Sequence, residues 1–405
     1  MLTFKYIARD TESGKKVKAE VQAENAQTAS KLIRQQGLAP LSITPKEGAS
    51  KGFGKIFNKV KSKDRILFSR QLSTLINAGL PLVQSLRSVE GQTTSKPLKY
   101  VINQLIVDIE GGASFGDALN KHQEVFNKVF VSLIAAGEVS GTLDASLVRL
   151  ANQQEKDAEI ISKVRGAMVY PIMVLLVMVA VVGFMLVSVL PQVEELYRGL
   201  PGAQLPLLTR VLLGVSHLII KYWWVGLVLL GVTSFFTGKW ARTIGGKSVI
   251  DRLKMKAWPV APLFMKMYMA RFARTGATLV ASGVPLIQML EITSEAVNNV
   301  HISKSIKSAI EKVKGGKSLS DSISNDPNFL ELVPNMLHIG EQSGQIESML
   351  EKTADYFEKE VDNQIKTIST IIEPLLMIVL GVVAITIVAA VLLPIYGLVG
   401  KNIIK

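Results

Sequence analysis

Two short segments of this chain resemble the end of a phosphate-binding loop. They are Gly245-Gly-Lys247-Ser248 and Gly315-Gly-Lys317-Ser318. A Walker loop needs a further glycine at a fixed position before these residues, so that the backbone turns and its amides surround the phosphates. Those positions hold Ala241 and Glu311, and neither segment follows an apolar strand. We therefore interpret both segments as turns rather than as nucleotide sites.

The other side chains that could carry chemistry are scattered along the sequence. The chain has no cysteine, no Gly-x-Ser-x-Gly nucleophile motif, and four histidines (122, 217, 301 and 338) that lack metal-ligand spacing. Glu138 and Glu341 stand in matching segments. A carboxylate at such a turn can bind a hard cation such as calcium, although capping a helix is its commoner role. We predict no enzyme activity and no cofactor, with calcium as an open alternative.

Three apolar stretches are long enough to cross a bilayer. A hydrocarbon core of about 30 Å needs about 20 apolar residues in a helix. We predict transmembrane helices over residues 167–191, 207–237 and 373–397. The middle stretch contains Arg210, His217 and Lys221, so a buried amphipathic helix of a soluble protein is the alternative there.

Lysine and arginine are unevenly distributed around these stretches. The formal net charge is +13, and a nucleic-acid-binding protein would gather such charge on a soluble face. Basic residues instead crowd before the first stretch and in the segment 238–266, whereas the short connection between the first two stretches has only Arg198 and Arg210, alongside Glu194 and Glu195. The positive-inside rule then places the N-terminus and 238–266 in the cytoplasm and 192–206 outside. Three spans leave the C-terminus outside, and we expect no nucleic-acid partner.

The sequence contains one unit twice. The matching residues, at an offset of 204 and then 203 positions, are Phe68 and Phe272, Gly79 and Gly283, Pro81 and Pro285, Gly137 and Gly340, Glu138 and Glu341, Ser140 and Ser343, Gly141 and Gly344, Pro171 and Pro374, and Pro191 and Pro394. So constant an offset over about 130 residues indicates a duplication. We predict two homologous helical domains, 64–166 and 267–372, each followed by a span.

The repeated glycines and prolines are typical of helix ends. Glycine often takes the position just after a helix and proline the first turn of the next, so each Gly-x-Pro should end one helix and start another. We expect Gly-Glu-x-Ser-Gly to break the chain between helices in the same way, and Pro171 and Pro191 to open and close the first span. Apolar residues at helical spacing then continue toward the spans. This pattern predicts long helices running from the cytoplasm into the membrane.

The first 48 residues have a different pattern. Alternating residues around Tyr6, a turn at 10–14, a second alternating stretch around 17–21, a helix over 26–36 and a strand at 41–43 predict a small ββαβ module. Residues 49–63 contain five lysines, which predicts a basic linker beside the membrane surface. The fold class that follows is mainly α: an integral membrane protein with three transmembrane helices, two homologous cytoplasmic helical-bundle domains and a small N-terminal α+β module.

This order of parts resembles the inner-membrane platform family of type IV pilus assembly and type II secretion, the PilC and GspF proteins. The resemblance rests on Gly79–Pro81, the duplicated Gly-Glu-x-Ser-Gly, Lys163 with Tyr170-Pro171, and Pro191 with its partner. The sequence departs from the family pattern at Lys18-Ala19, where a glycine is common, and at Glu373-Pro374, which stands in place of Tyr-Pro.

The resemblance implies a protein of the bacterial inner membrane that contacts a cytoplasmic hexameric ATPase. It implies coupling of that motor to the extraction of pilins or pseudopilins, with contacts to other inner-membrane assembly proteins, to membrane lipid and to further copies of itself. We expect the motor-facing surface on the polar faces of residues 64–160 and 267–365. The alternative is a transporter or channel component with parallel internal repeats, which would place polar groups inside the spans.

Overall fold

The computed structural model describes residues 2–10, 16–23, 26–35, 37–45, 59–198 and 205–399. Most of the predicted turn at 10–14, most of the predicted linker at 49–63 and part of the predicted loop at 192–206 lie outside the described residues. The chain divides into two units, Met1–Ala151 and Asn152–Lys405.

The first unit begins with a three-stranded sheet and one helix. β1 (Leu2–Asp10), β2 (Lys16–Ala23), α1 (Ala26–Gln35) and β3 (Leu38–Pro45) follow in this order, and β1 pairs antiparallel with both other strands. Alternation along β1 directs Tyr6 and Ala8 to the same face, where they are buried against Ile33 of α1. The predicted ββαβ module is confirmed.

Residues 59–151 form a helical domain. Its helices are α2 (Ser62–Asn77), α3 (Leu82–Gln92), α4 (Lys96–Glu110), α5 (Phe115–Asn120), α6 (Lys128–Ser140) and the first turns of α7 (Leu143–Phe184). Phe68, Phe126 and Phe130 are buried in its core, with neighbouring ring centroids 5.6 and 4.6 Å apart. Aromatic pairs bury a large apolar area and favour particular ring geometries. These contacts therefore stabilise the packing of α2 against α6 and the residues just before it.

The second unit begins inside α7, which continues into the first apolar stretch. A π-helical turn, Met185–Val189, and α8 (Leu190–Arg198) follow without a break. Residues Leu143–Arg198 therefore form one helical run of 56 residues. α9 (Leu207–Trp240) is the second apolar helix, and α10 (Ile244–Lys256) is a short basic helix directly after it.

The remaining helices repeat the first helical domain. They are α11 (Ala261–Ala281), α12 (Leu286–Ala296), α13 (Val300–Lys314), α14 (Leu319–Ile323), α15 (Leu332–Ser343) and α16 (Ile346–Val399). Phe272 stands at the position of Phe68 and is likewise buried, 5.3 Å from the ring of Phe329. α16 runs from this domain into the last apolar stretch, so the prediction of long helices that join domain and span is confirmed.

Within the described ranges, three helical runs are long and apolar enough to cross a membrane: Leu143–Arg198, α9 and Ile346–Tyr396. The apolar side chains along them are exposed, for example Leu227, Leu229 and Leu230 of α9. A soluble protein rarely exposes an apolar surface of this size, which argues against the buried soluble helix considered for the middle stretch. Tyr222 has non-helical backbone angles and kinks α9 next to Lys221.

The prolines predicted to open and close the spans do not interrupt the helices, and their place at the span limits stays a prediction. Pro171, Pro374 and Pro394 lie inside continuous helices, and Pro191 lies in the first turn of α8. Long apolar helices tolerate proline because neighbouring groups and local π geometry take up the freed carbonyls. The π turn before Pro191 is such an adjustment, since the carbonyl of Leu186 there accepts the hydroxyl of Ser216.

The three long apolar helical runs contact one another around a small buried cluster. Leu190 of α8, Leu213 of α9 and Ala390 of α16 form a buried cluster. Thr209 donates its hydroxyl to the carbonyl of Ala390 at 3.1 Å, and Tyr197 donates to the carbonyl of Pro394. Hydrogen bonds of this kind join helices in an apolar environment, where a small residue such as Ala390 permits close approach.

Candidate functional site

The duplicated Gly-Glu-x-Ser-Gly segment lies at the end of a helix rather than between helices. Gly137, Glu138 and Ser140 belong to the last turn of α6, and only Gly141, with φ +72°, leaves the helix. In the second copy Gly344 has φ +68° after α15. Only the last glycine of each segment therefore breaks the chain, because glycine adopts the left-handed conformation without a steric penalty.

The first glycine of each segment is required for close packing. A Cβ on Gly137 would lie 2.4 Å from Oγ of Ser146 in α7, and a Cβ on Gly340 would lie 3.0 Å from Cα of Ile346 in α16. Both glycines are helical, so their role is to let the next long helix approach. The first turn of each long helix thus packs on the last turn of the helix before it.

The glutamate of each segment binds the start of a distant short helix. Oε1 and Oε2 of Glu138 accept the backbone N–H groups of Phe115 and Gly116 at 2.8 and 2.9 Å. These amides open α5 and have no partner within a helix of their own. The Ser114 hydroxyl accepts the N–H of Asp117 at 3.0 Å, so serine and glutamate together cap α5.

The second copy repeats this arrangement. Glu341 accepts the N–H groups of Leu319 and Ser320 at 2.6 and 3.2 Å, and also the Ser320 hydroxyl. Ser318 accepts the N–H of Asp321 at 3.1 Å. We call each of these contacts, from Glu138 to α5 and from Glu341 to α14, a glutamate bridge. Each bridge ties the helix that precedes a spanning run to the middle of its domain.

In the two bridges, the carboxylates of Glu138 and Glu341 are engaged in hydrogen bonds rather than available as metal ligands. Both oxygens of each carboxylate already accept backbone amides. Across the described residues, no group of three or more His, Asp or Glu side chains could hold a metal ion. The geometry of Glu138 and Glu341 therefore favours helix capping over the calcium alternative.

The other predicted residues lie at different junctions. Gly79 and Gly283 have φ +84° and +79° between helices. Pro81 and Pro285 precede α3 and α12 as extended N-cap residues, not in the first helical turn as predicted. A proline fits there because its fixed φ suits the extended N-cap and the N-cap amide needs no helical partner. The Gly-Gly-Lys-Ser segments also lie at helix starts: Ser318 caps α14, and Gly245 to Ser248 form the first turn of α10.

Sequence reasoning missed a contact between the two copies. We call residues 152–167 of α7, just before the first span, the stem. Its Ile160, Val164 and Ala167 pack on a buried cluster made of Val361, Ile365 and Ile368 of α16 with Leu263 of α11. The spacing of these apolar residues on each helix was the available signal. The stem from the first copy is thereby part of the core of the second.

Polar contacts fix the stem at this position. Gln153 donates to the Thr275 hydroxyl at 2.9 Å in a buried contact. Lys163, a residue that carries the family resemblance, donates to Asp362 at 2.7 Å and pairs with Glu159 at 2.9 Å. The hydrogen bonds to Asp362 and Glu159 raise the pKa of Lys163, so this ammonium stays charged at any physiological pH.

Ion pairs also join α11 and α16. Arg274 donates to Glu358 at 2.8 Å and to Asp355. Burial alone would lower the pKa of Arg274, but the two carboxylates outweigh this and raise it. Lys266 donates to Glu360 at 2.8 Å, and that hydrogen bond lowers the pKa of the Glu360 carboxyl.

Comparison with known proteins identifies the family from this same repeated unit. The profile described as type II secretion system (T2SS), protein F matches the chain twice, over residues 68–191 and 272–394. The profile of the N-terminal domain of type II secretion system protein F matches residues 1–44. The chain belongs to the type II secretion system protein F family.

Curated members of this family match over nearly the full length. The chain is 38% identical over 405 residues to the type IV pilus assembly protein PilC of Thermus thermophilus, covering 99% of both chains. It is 34% identical to PilC of Myxococcus xanthus over 396 residues, which is 96% of this chain and 94% of the other. It is 32% identical to the type II secretion system protein F of Pseudomonas aeruginosa over 403 residues, covering 98% and 99%.

The limits of the family match coincide with the repeat read from the sequence. The two matched segments start at Phe68 and Phe272, which are buried in the two domain cores, and end at Pro191 and Pro394. Each segment therefore includes one helical domain with its glutamate bridge and the span that follows. The predicted duplication of domain and span is confirmed.

Proposed function

We propose that this chain is the inner-membrane platform protein of a type IV pilus or type II secretion machine. In this proposal its two helical domains contact a cytoplasmic hexameric ATPase and its spans handle pilins or pseudopilins. The N-terminus lies in the cytoplasm and the C-terminus outside. Other inner-membrane assembly proteins and further copies of the chain complete the complex. The names of its relatives support the pilus and secretion assignment.

The observation that carries the proposal is the unbroken connection between each helical domain and a span. α16 has 54 residues, which corresponds to roughly 80 Å of helix. Its first turn packs on Gly340, and the same helix continues to the buried contact at Ala390. Because no flexible loop intervenes, a displacement of the helical domain by a motor would move the span directly. A platform that transmits force needs this property.

The polar groups of the spans support a structural role over the transporter alternative. Tyr197, Thr209 and Ser216 donate their hydroxyls to backbone carbonyls of neighbouring helices. A transport pathway instead uses polar groups that face an aqueous cavity. These three hydroxyls hold helices together, and the arrangement favours a fixed assembly of the spans.

Site-specific photo-crosslinking in living cells tests the motor contact. A photoreactive amino acid replaces Tyr100 in α4 or Lys304, its counterpart in α13; both side chains are exposed on their domains. The matched control replaces Leu229, an exposed apolar residue in the middle of α9. We expect adducts with a hexameric secretion ATPase from at least one helical-domain position and no such adduct from Leu229.

The opposite result would favour the alternative. If neither domain position captures an ATPase in cells that assemble pili or secrete, the motor contact is wrong. If the purified chain also carries a solute across vesicle membranes, the transporter reading replaces the platform.

A further inference from the structure

The helix α10 presents two different sides. Asp251 is its one acidic residue, and the carboxylate is buried and accepts the N–H of Val300 at 3.0 Å. On the same inner side, the thioether of Met255 accepts Nδ2 of Asn299 at 3.4 Å, and Nζ of Lys254 lies 5.8 Å from the ring centroid of Phe264. This inner side joins α10 to the second helical domain.

The outer side of α10 is apolar and basic. Val249 and Leu253 are 55% and 64% exposed, and Trp258, two residues past the helix end, is 78% exposed. Arg252 and Lys256 are exposed beside them. Positions three and four apart lie on the same helix face, so the four side chains within the helix form one strip, and Trp258 follows shortly after its end. We call Val249, Arg252, Leu253, Lys256 and Trp258 the outer strip.

The structure holds α10 against the end of a spanning helix. Three residues separate it from α9, and the Thr243 hydroxyl caps its first turn by accepting the N–H of Gly246 at 3.1 Å. A Cβ on Gly246 would lie 2.0 Å from the carbonyl oxygen of Trp240, the last residue of α9. α10 is therefore packed directly on the C-terminal end of α9, just beyond the predicted span.

We propose that the outer strip binds the anionic phospholipid surface of the membrane next to α9. Leucine, valine and tryptophan enter the headgroup region favourably, and arginine and lysine beside them pair with lipid phosphates. The single acid of α10 is turned away from the strip, so the outer charge is wholly positive. Attachment to this surface fixes the orientation of the second helical domain relative to the membrane, a role separate from contact with a motor.

A protein partner fits the outer strip less well. Its five residues are far fewer than the 20 to 30 residues per side, or about 800 Å² per partner, that a stable protein interface uses. Lysine is depleted in such interfaces, whereas it is enriched in segments that contact anionic membranes. The short tether to α9 also places the strip beside lipid in every copy of the chain.

The absence of cysteine from the sequence makes a direct test simple. Leu253→Cys supplies a single thiol on the outer strip for an environment-sensitive fluorophore, and Ser308→Cys supplies one on an exposed position of α13 as a control. The full chain is reconstituted, one copy per nanodisc, in lipid with or without phosphatidylglycerol. We expect quenchers attached to the lipid headgroup region to quench the label at 253 in anionic discs and not the label at 308.

Charge variants then identify the groups responsible. Arg252→Gln with Lys256→Gln should weaken docking of the strip in anionic discs by roughly 25-fold, because each basic side chain near such a surface contributes about fivefold. Lys304→Gln with Lys307→Gln removes the same charge from exposed positions of α13 and should have little effect. Circular dichroism and the oligomeric state check that each variant is folded.

Three results would overturn the proposal. The label at 253 could remain open to water and unquenched in anionic discs. The α13 variants could abolish quenching while the outer-strip variants do not, which would assign lipid binding to α13. Protection of the label could require two copies in one disc, which would make a second copy of the chain the partner.

Discussion

Replacing Glu341 by glutamine tests the glutamate bridge, because it removes the charge and one acceptor with almost no change in volume. Glu341 accepts two backbone amides of α14 and the Ser320 hydroxyl. In Glu341→Gln the amide oxygen can still accept one N–H, but its NH₂ group faces the other donor. The bridge is then half broken, and one amide at the start of α14 loses its partner.

The expected cost follows from the hydrogen bonds lost. A hydrogen bond to a charged group contributes about 1.5–3 kcal/mol, and a donor left unsatisfied costs about 1–3 kcal/mol. Part of this cost is relieved when water reaches the short helix, so we expect about 2–4 kcal/mol. That is a substantial part of the 5–15 kcal/mol that typically stabilises a domain, and local opening of α14 should increase by roughly 30-fold or more.

Hydrogen exchange with fragmentation to single residues measures this opening in the full chain in detergent or nanodiscs. The amides of Leu319 and Ser320 should lose protection in Glu341→Gln. Asp321, whose amide is held by Ser318, lies in the same short helix and should lose protection in the same opening. The matched control is Glu351→Gln, which removes the same charge from an exposed position of α16.

Two results would refute this reasoning. If Leu319 and Ser320 exchange no faster in Glu341→Gln than in Glu351→Gln, the bridge does not stabilise α14. If millimolar calcium raises the protection of these amides and a chelator removes it, Glu341 acts as a cation ligand, and the capping interpretation is wrong.

Two further predictions concern the second unit. Gly246→Ala should lower the thermal midpoint of the chain by several degrees, because the new Cβ would meet the carbonyl of Trp240 at 2.0 Å and such overpacking costs about 1–3 kcal/mol. The control Gly245→Ala, where nothing lies within 4 Å of the added Cβ, should be neutral or stabilising. Equal midpoints for the two variants would contradict the close approach of α10 to α9. The hydrogen bond from Lys266 lowers the pKa of the Glu360 carboxyl in the folded protein below its usual 4.5. The Lys266–Glu360 pair therefore stabilises the fold fully above pH 4.5, and this stabilisation is lost as the pH falls through the lowered pKa. Melting curves at a series of pH values should therefore show the wild type and Lys266→Gln converging in acid, and a constant difference at every pH would count against the pair.

Much of the architecture was predictable because it depends on local sequence. The helices of the two domains follow apolar periodicity, and the spans follow from their apolar length. The duplication was visible because Gly137 to Gly141 and Gly340 to Gly344 keep their spacing. Each of these signals lies within a short window of residues, where elementary rules of helix formation apply.

The contacts that define the site were not predictable because they join residues far apart in sequence. Glu138 reaches Phe115 across 23 positions, and Lys163 reaches Asp362 across 199. The sequence marked Glu138 as a turn residue, but only the packing of α6 beside α5 shows what its carboxylate binds. In the same way, two glycines in one motif look alike in sequence, although Gly137 is needed for space and Gly141 for its backbone conformation.

The continuity of the helices through the prolines has a physical reason. In a soluble helix, proline removes a hydrogen bond and usually ends or kinks the helix. In Leu143–Arg198 and α16 the chain stays helical through Pro171 and Pro374. Interrupting the helix in an apolar layer would expose several backbone groups without partners, and that cost exceeds the cost of one missing hydrogen bond.

The packing of the stem on the second copy has a consequence for biosynthesis. Gln153 and its partner Thr275 are 122 residues apart. Of the apolar residues that contact the stem, Leu263 comes shortly before Thr275, and Val361, Ile365 and Ile368 come much later, in α16. At a translation rate of about 5–20 residues per second, the first span leaves the ribosome on the order of ten seconds before those partners exist. The apolar side of the stem must pass this interval without its final neighbours, so chaperones or the insertion machinery have a defined period in which to act. Truncation before α16 should leave the first copy synthesised but its stem unprotected, which makes the synthesis of α16 the moment at which the packing of the stem is completed.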